Sequence, residues 1–489
     1  MGIPPTESAT TREHPMTHPS AERQNPSLTL AVLALGGVAY ALLQSLVSPA
    51  LPDIQRELGT TQSAVSWVLT GYLLSASVAT PIVGRLGDMF GKERVLLTVL
   101  VLLAFGTVLA AVASSIGVLI AARVIQGVGG GIFPLAFGII RDEFPREKVA
   151  GSIGLMSALL GIGGGLGVVL AGIIVDNLSY HWLFWLPLVG IVISAIATHL
   201  YVPESPIKVP GRINWAGAAL MSLGLAAVLV AISEGQSWGW LGAKTVVLFL
   251  AGLVLLGLWV RSELRAKEPL VDMAMMRIKG VWTTNLVALL LGVGMYASFI
   301  LVPQLVQLPE ETGYGFGASV TQAGLFLLPS AFSMLVAGAF AGRLEARFGS
   351  KPPLMIGTAF TAASFGLLAV AHSTDLEIYL SSFLMGIGIG LAFASLANLI
   401  VQAVRQDQTG VATGMNTVMR SLGGAIGGQI AAAILVSDLI GRAPSDDAFT
   451  AAFAFCFVAL LVGLATSVII PGRQRPAAAP AVAATDATP

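Results

Sequence analysis

Few residues in this chain can do chemistry, and most of them are charges set close to long apolar runs. Arg123 and Gln126 lie three apart inside the apolar stretch 116–140, so on a helix they share a face. An arginine in such a stretch must face a cavity or a partner, unless it snorkels outward from about seven residues inside the run. Arg420 sits eight residues from one end of a similar run. That is ~12 Å at 1.5 Å per residue, and snorkelling accounts for it. Asp88 is an acid surrounded by bases in Gly84-Arg85-Leu86-Gly87-Asp88-Met89-Phe90-Gly91-Lys92-Glu93-Arg94. Glu234, in Ser233-Glu234-Gly235-Gln236-Ser237-Trp238, is a candidate proton carrier. Its plainer reading is a solvated acid beside interfacial tryptophans. Enzyme-like constellations are missing. No phosphate loop of the Gly-x-x-x-x-Gly-Lys-Ser/Thr type occurs, so the chain does not power itself with ATP. The five histidines and the single cysteine, Cys456, form no metal site, nucleophile triad or intramolecular disulfide. The expectation is no enzyme, no metal and no cofactor.

The elements that position these residues follow from composition. Hydrophobic residues make up 55% of 489 positions and charged residues 11%, against ~25% charge in soluble domains. A bilayer is the simplest solvent for such a chain, and a net charge of zero gives no reason to expect a nucleic-acid partner. Fourteen runs reach the ~20 residues a span needs, at roughly 28–50, 64–84, 94–113, 116–140, 152–175, 182–202, 213–232, 244–261, 281–307, 321–341, 353–371, 376–402, 412–436 and 448–470. They are continuously apolar, so they predict helices rather than barrel strands. An arginine at the centre of one costs ~2.5–3.5 kcal/mol on insertion scales. These boundaries place no Asp or Glu deep in any span.

Lysine and arginine set the orientation. With both termini on one side, 21 of the 26 bases fall on that side and three (Arg56, Lys244, Arg442) on the other, while Arg123 and Arg420 lie within spans. That predicts cytoplasmic termini. The chain also repeats itself. Gly84-Arg85-Leu86 and Phe90-Gly91 recur as Gly342-Arg343-Leu344 and Phe348-Gly349, 258 residues on. Gly127, Gly129 and Gly131 recur as Gly386, Gly388 and Gly390 at an offset of 259, and Gly163-Gly164 as Gly423-Gly424 near it. A constant offset across three helix pairs indicates duplication. Eight spans separate equivalent positions, so two were inserted between halves of six. The predicted organisation is a tail (1–27), a six-helix bundle (28–202), an inserted pair with linkers (203–279), a second six-helix bundle (280–470) and a second tail (471–489). Repeated halves around a midplane site suit alternating access.

These motifs resemble the major facilitator superfamily, and the fourteen-helix layout resembles its drug:proton antiporter branch. Residues 84–94 resemble the family's Gly-x-Leu-x-Asp-Arg-x-Gly-Arg-Arg loop, with Met89 replacing a base. The resemblance implies a cytoplasmic latch built on Gly84, Asp88, Gly91 and Arg94, in which Asp88 pairs across the halves in one state only; the alternative is a solvated loop charge. Arg123-Val124-Ile125-Gln126-Gly127 resembles the family's Arg-x-x-Gln-Gly motif, associated with proton coupling. Gly161–Gly172 looks like the antiporter motif Gly-Pro-x-x-Gly-Gly, with Val168 and Ala171 as departures; Gly163, Gly164, Gly167 and Gly172 serve tight helix packing or bending. Gln44–Pro52 resembles the family stretch that carries an intramembrane acid, but Leu43 stands at the acidic position and Ser48 at the asparagine. With Arg123 and no acid there, anionic or neutral cargo is favoured.

The family lines its cavity with helices equivalent to the first, fourth, ninth and twelfth. The resemblance thus implies a polar lining of Tyr40, Gln44, Ser45, Ser48, Arg123, Gln126, Asn285, Tyr296, Gln304, Gln307 and Asn398. Phe133, Met295 and Phe299 are either an apolar wall or core. The expected protein is a secondary transporter of a bacterial cytoplasmic membrane, working as a monomer. It exports hydrophobic or amphipathic small molecules, in exchange for protons. The alternative is a proton-independent facilitator or importer of a specific metabolite on the same fold.

Overall fold

A computed structural model of the chain describes residues 25–206, 208, 211–440 and 443–472. Nearly all of both predicted tails, with Arg12, Arg23, Arg473 and Arg475, lies outside the described residues, as does Arg442. The long helices run in chain order as α1 Pro26–Ser45, α2 Gln62–Phe90, α3 Lys92–Ala111, α4 Ile116–Glu143, α5 Arg146–Asn177, α6 Trp182–Tyr201 and α7 Trp215–Ser233. They continue as α8 Ala243–Arg265, α9 Lys279–Gln307, α10 Val320–Phe348, α11 Lys351–Val370, α12 Asp375–Ala403, α13 Thr409–Ser437 and α14 Asp446–Ile469. Thirteen described helices are long and apolar enough to cross a bilayer, and the 32-residue α5 fills the remaining expected place. A two-residue antiparallel pair, β1 Leu439–Ile440 with β2 Ala443–Pro444, joins α13 to α14. The fold is an all-α polytopic membrane bundle.

Two apolar cores match the two repeats. One joins residues of α1 to α6, including Leu43, Leu103, Ile139 and Phe184. The other joins α9 to α14, including Leu291, Phe365, Phe393 and Phe453. The inserted pair packs α7 on α8, and α7 also meets α2 and α13. A third cluster, with Met221, Leu225 and Trp259 against Met415 and Val418, fixes that pair to the second half.

Several helices end where local chemistry ends them, not where hydropathy does. The first apolar run extends to residue 50, but α1 stops at Ser45. Pro49 has no N–H to donate to the helix ladder and disfavours helical angles at residue 48, and after a turn over 47–50 a short helix, Leu51–Glu57, restarts the chain. Conversely, α2 and α10 run past Arg85 and Arg343 to Phe90 and Phe348. Each ends at a glycine with positive φ, 110° at Gly91 and 79° at Gly349. The extra turns put buried acids in the last turn of these helices, while none among the described residues lies deep in a span. Asp88 is 1% exposed, Glu345 6% and, near the end of α8, Glu263 3%. In α4 the run Gly127–Gly131 tightens to a 3-10 segment. Added Cβ atoms at Gly127, Gly130 and Gly131 would overlap Ser75, Thr80 and Val83 of α2, so bare backbone is what allows this contact.

Candidate transport site

At the end where α2 meets α3, the two halves are joined. Asp88 accepts hydrogen bonds from the backbone N–H groups of Gly410 (3.3 Å) and Val411 (3.2 Å), in the first turn of α13. Those amides have no partner within their own helix, and the helix dipole favours an anion there. Lys92, fully buried, lies 3.6 Å from Asp88 and 2.7 Å from Asp142. Arg141 donates across the halves to the carbonyls of Arg405 (3.1 Å) and Val404 (2.9 Å) and to the Thr409 hydroxyl (2.5 Å). Gly84 meets the backbone of Gly410, and Gly342 meets Gly151. These are the same contact repeated once per half. Arg94 lies 3.4 Å from Glu204, near Gly91. The pseudo-equivalent of Asp88 is Ala346, and the acid beside it, Glu345, makes a different set of bonds. It accepts from Ser350 (2.7 Å) and Ser395 (3.0 Å), with no described cation at ion-pair distance.

The opposite end is open between the halves. A cavity of about 680 Å³ is lined by Gln44 of α1, by Ser48 and Pro49 in the turn after it, and by Tyr296, Gln304 and Gln307 of α9. Gly424, Gly428 and Gln429 of α13 complete it, with Leu229 and Ser233 of the inserted α7. Two smaller chambers, of about 80 and 20 Å³, continue it toward the joined end. Their walls carry Tyr40, Phe133, Met295, Phe299 and Phe393. Gln44 donates to the Tyr296 hydroxyl at 3.2 Å, linking α1 and α9 inside the cavity.

Of the residues expected to form this lining, Tyr40, Gln44, Ser45, Ser48, Tyr296, Gln304 and Gln307 are brought together. Arg123, Gln126, Asn285 and Asn398 lie elsewhere. Arg123 is fully buried. It donates to the carbonyls of Val68 (3.2 Å) and Leu43 (3.3 Å) and to Gln126 Oε1 (2.8 Å), and it stands 4.0 Å over the Tyr72 ring. Gln126 in turn donates to Thr107. Leu43 lies in the last turn of α1, where carbonyls lack intrahelical donors and the helix dipole is negative. Main-chain oxygen there supplies what a carboxylate would. Asn285 accepts from Asn416 at 2.9 Å, and Asn398 donates to the Ala150 carbonyl at 3.2 Å. Glu234 holds the Ser237 hydroxyl at 2.6 Å, next to the cavity mouth but not on its wall.

The glycines of α5 divide by neighbour. A Cβ at Gly163 would overlap Ala41, one at Gly167 would overlap Ser45, and one at Gly172 would meet Thr321 of α10 at 2.7 Å. Gly164 has only Phe299 nearby, at 3.8 Å, and faces the cavity.

Arg420 does not snorkel. It is half-buried and lines both inner chambers, with its guanidinium 4.6 Å over the Phe393 ring. The whole lining face of α13 escapes a reading based on helix equivalence. Its signal is nonetheless in the sequence, because Thr417, Arg420, Ser421, Gly424, Gly428 and Gln429 recur at three- and four-residue spacing.

Comparison with known proteins decides the family. The Major Facilitator Superfamily model matches residues 33–428 and 284–486. The chain belongs to that superfamily. It is therefore a multi-pass membrane protein of a transporter family. Among curated relatives it is 29% identical to the multidrug transporter protein MdtP of Bacillus subtilis over 396 residues, 79% of this chain and 71% of the relative. It is 26% identical to the tetracenomycin C resistance and export protein of Streptomyces glaucescens, over 81% of this chain and 73% of the relative. The crystal structure of the human organic anion transporter MFSD10 (TETRAN) superposes with a TM-score of 0.63 at 16% identity, covering 89% of this chain and 99% of that one.

Proposed function

We propose that this superfamily member is a multidrug-type exporter, moving hydrophobic or amphipathic small molecules out of the cell by alternating access in exchange for protons. The observation that carries it is the largely apolar cavity between the halves, sealed at one end by the Asp88 and Arg141 contacts and open at the other. The drug-export names of the relatives point the same way. Placing the basic loops in the cytoplasm, as the lysine and arginine bias predicts, makes this the outward-open state. The Asp88 bonds exist only while the halves are together at that end, so they bias the equilibrium toward this state.

One observation favours the proton-independent facilitator. No carboxylate lines the three chambers among the described residues. Proton exchange thus needs an acid outside the cavity. Glu345 is the candidate, because it is buried, bonded by neutral hydroxyls and close to the interface that must open. Transport by protein reconstituted in liposomes, with an imposed pH gradient and a panel of dyes, separates the readings. Export requires cargo to move against protons. Uptake down a gradient regardless of pH means a facilitator, and no movement of any dye refutes both.

A further inference from the structure

We infer that Arg420 makes the cavity a receptor for amphipathic organic monoanions, with the anionic group at the guanidinium and the apolar body in the aromatic chamber beyond. The inference rests on the export reading and names its substrate class. Arg420 is at the junction of the two inner chambers, and the 80 Å³ chamber shares Gln44, Ser45, Tyr296, Phe299 and Ser421 with the large open cavity. Among the described residues, it is the one charged side chain on the walls of the two inner chambers, and the large cavity has none. No described residue gives its guanidinium a hydrogen bond or an ion pair. Facing it are Phe393 of α12, Tyr40 of α1, Tyr296 of α9 and Phe133 of α4, with Thr417 and Ser421 on its own helix.

A cation held away from bulk water without a counter-charge is unfavourable, and five N–H donors facing an open space are an offer to planar anions. Carboxylates and sulfonates accept two parallel bonds from this fork. The surrounding rings and Met295 and Met334 would cover an apolar body. An organic cation entering the same chamber would meet a like charge and no acid. The contrast with Arg123 matters here. That guanidinium is bonded through Nε and Nη1 to two carbonyls and Gln126, leaves only Nη2 without a partner among the described residues, and lines none of the three chambers.

The test uses three probes with one apolar body: pyrene-1-butyrate, pyrene-1-butanol and pyrenebutyl-trimethylammonium. Binding to the purified full chain in phosphatidylcholine nanodiscs is read by energy transfer from tryptophan, with empty nanodiscs subtracted. The butyrate should bind about tenfold tighter than the butanol, and the ammonium weakest. Arg420→Gln should bring the butyrate down to the butanol, whose own affinity stays put, and Arg420→Lys should keep part of the preference. An ammonium or butanol that binds as tightly as the butyrate overturns the inference. So does an Arg420→Gln variant that retains the preference. Should Arg420→Gln fail to fold, the wild-type ranking still decides. Repeating the series with phosphatidylglycerol in the nanodiscs identifies the source of the anion. Loss of the butyrate advantage assigns the site to anionic lipid, and its persistence assigns it to soluble anions. Vesicle transport of the ammonium or the butanol without the butyrate would leave the exporter reading intact and sink this one.

Discussion

Two arginines sit deep in apolar helices of this protein, and their surroundings are opposites. Arg123 is fully buried against three acceptors and an aromatic face, at the carboxyl end of α1. Arg420 stands over the Phe393 ring on the walls of the inner chambers, and no described residue gives its guanidinium a hydrogen bond or an ion pair. The first charge is bonded through Nε and Nη1, with only Nη2 left over, and it links α1, α2 and α4. The second is left for something that comes and goes. The lesson is that a charge inside a membrane protein is not a site by virtue of its depth. What matters is whether the protein has already answered it.

The largest effects should come from attacking that difference directly. Arg123→Met strands Gln126 and the Leu43 and Val68 carbonyls, so it should destabilise the folded protein by about 3 kcal/mol. Arg420→Met removes an unanswered charge and should leave stability unchanged or raise it. Thermal melts of the two purified variants check this, and equal losses would erase the contrast.

The next effect concerns the joined end. Asp88→Asn weakens the bonds to the α13 amides and leaves Lys92 with one acid. A loss of about 2 kcal/mol shifts the conformational ratio roughly thirtyfold toward the alternative state. In a Cys456→Ser background, Ala397→Cys, which faces the smallest chamber, should then label faster with a maleimide. An unchanged rate would mean that Asp88 only packs.

Glu345→Gln is the quieter counterpart in the other half. Its hydroxyl partners can still bond an amide, so stability should move by less than about 0.5 kcal/mol. Proton counterflow should nevertheless be lost in the liposome assay. Counterflow that survives places the proton elsewhere. The smallest contrast lies in α5. Gly167→Ala forces a Cβ onto Ser45 and should destabilise by about 1–3 kcal/mol, whereas Gly164→Ala has room beside Phe299 and should change the melt by less than about 0.5 kcal/mol.

Much of the fold was legible because its causes are local. A run of twenty apolar residues needs no knowledge of its neighbours to demand lipid, and a fixed offset between glycine motifs reveals duplication wherever the halves end up. Helix ends were harder. Arg85 and Arg343 looked like termini because they interrupt hydropathy, yet the helices continue to Gly91 and Gly349, where positive φ stops them. The longer helices carry Asp88, expected at a helix end, and Glu345, not singled out from sequence, in their last turns.

What sequence alone determined is therefore the solvent, the helix inventory, the repeat and which residues carry charge. Only the tertiary structure decided which way each charge faces. The rotation of a helix about its axis is set by what packs beside it, and one turn separates a buried face from a cavity wall. So Gln44 and Tyr296, 252 residues apart, meet in the cavity. Arg123 is held largely by a main chain that carries no signature of the role, and Arg420, read from the chain as reaching for the surface, faces the inner chambers.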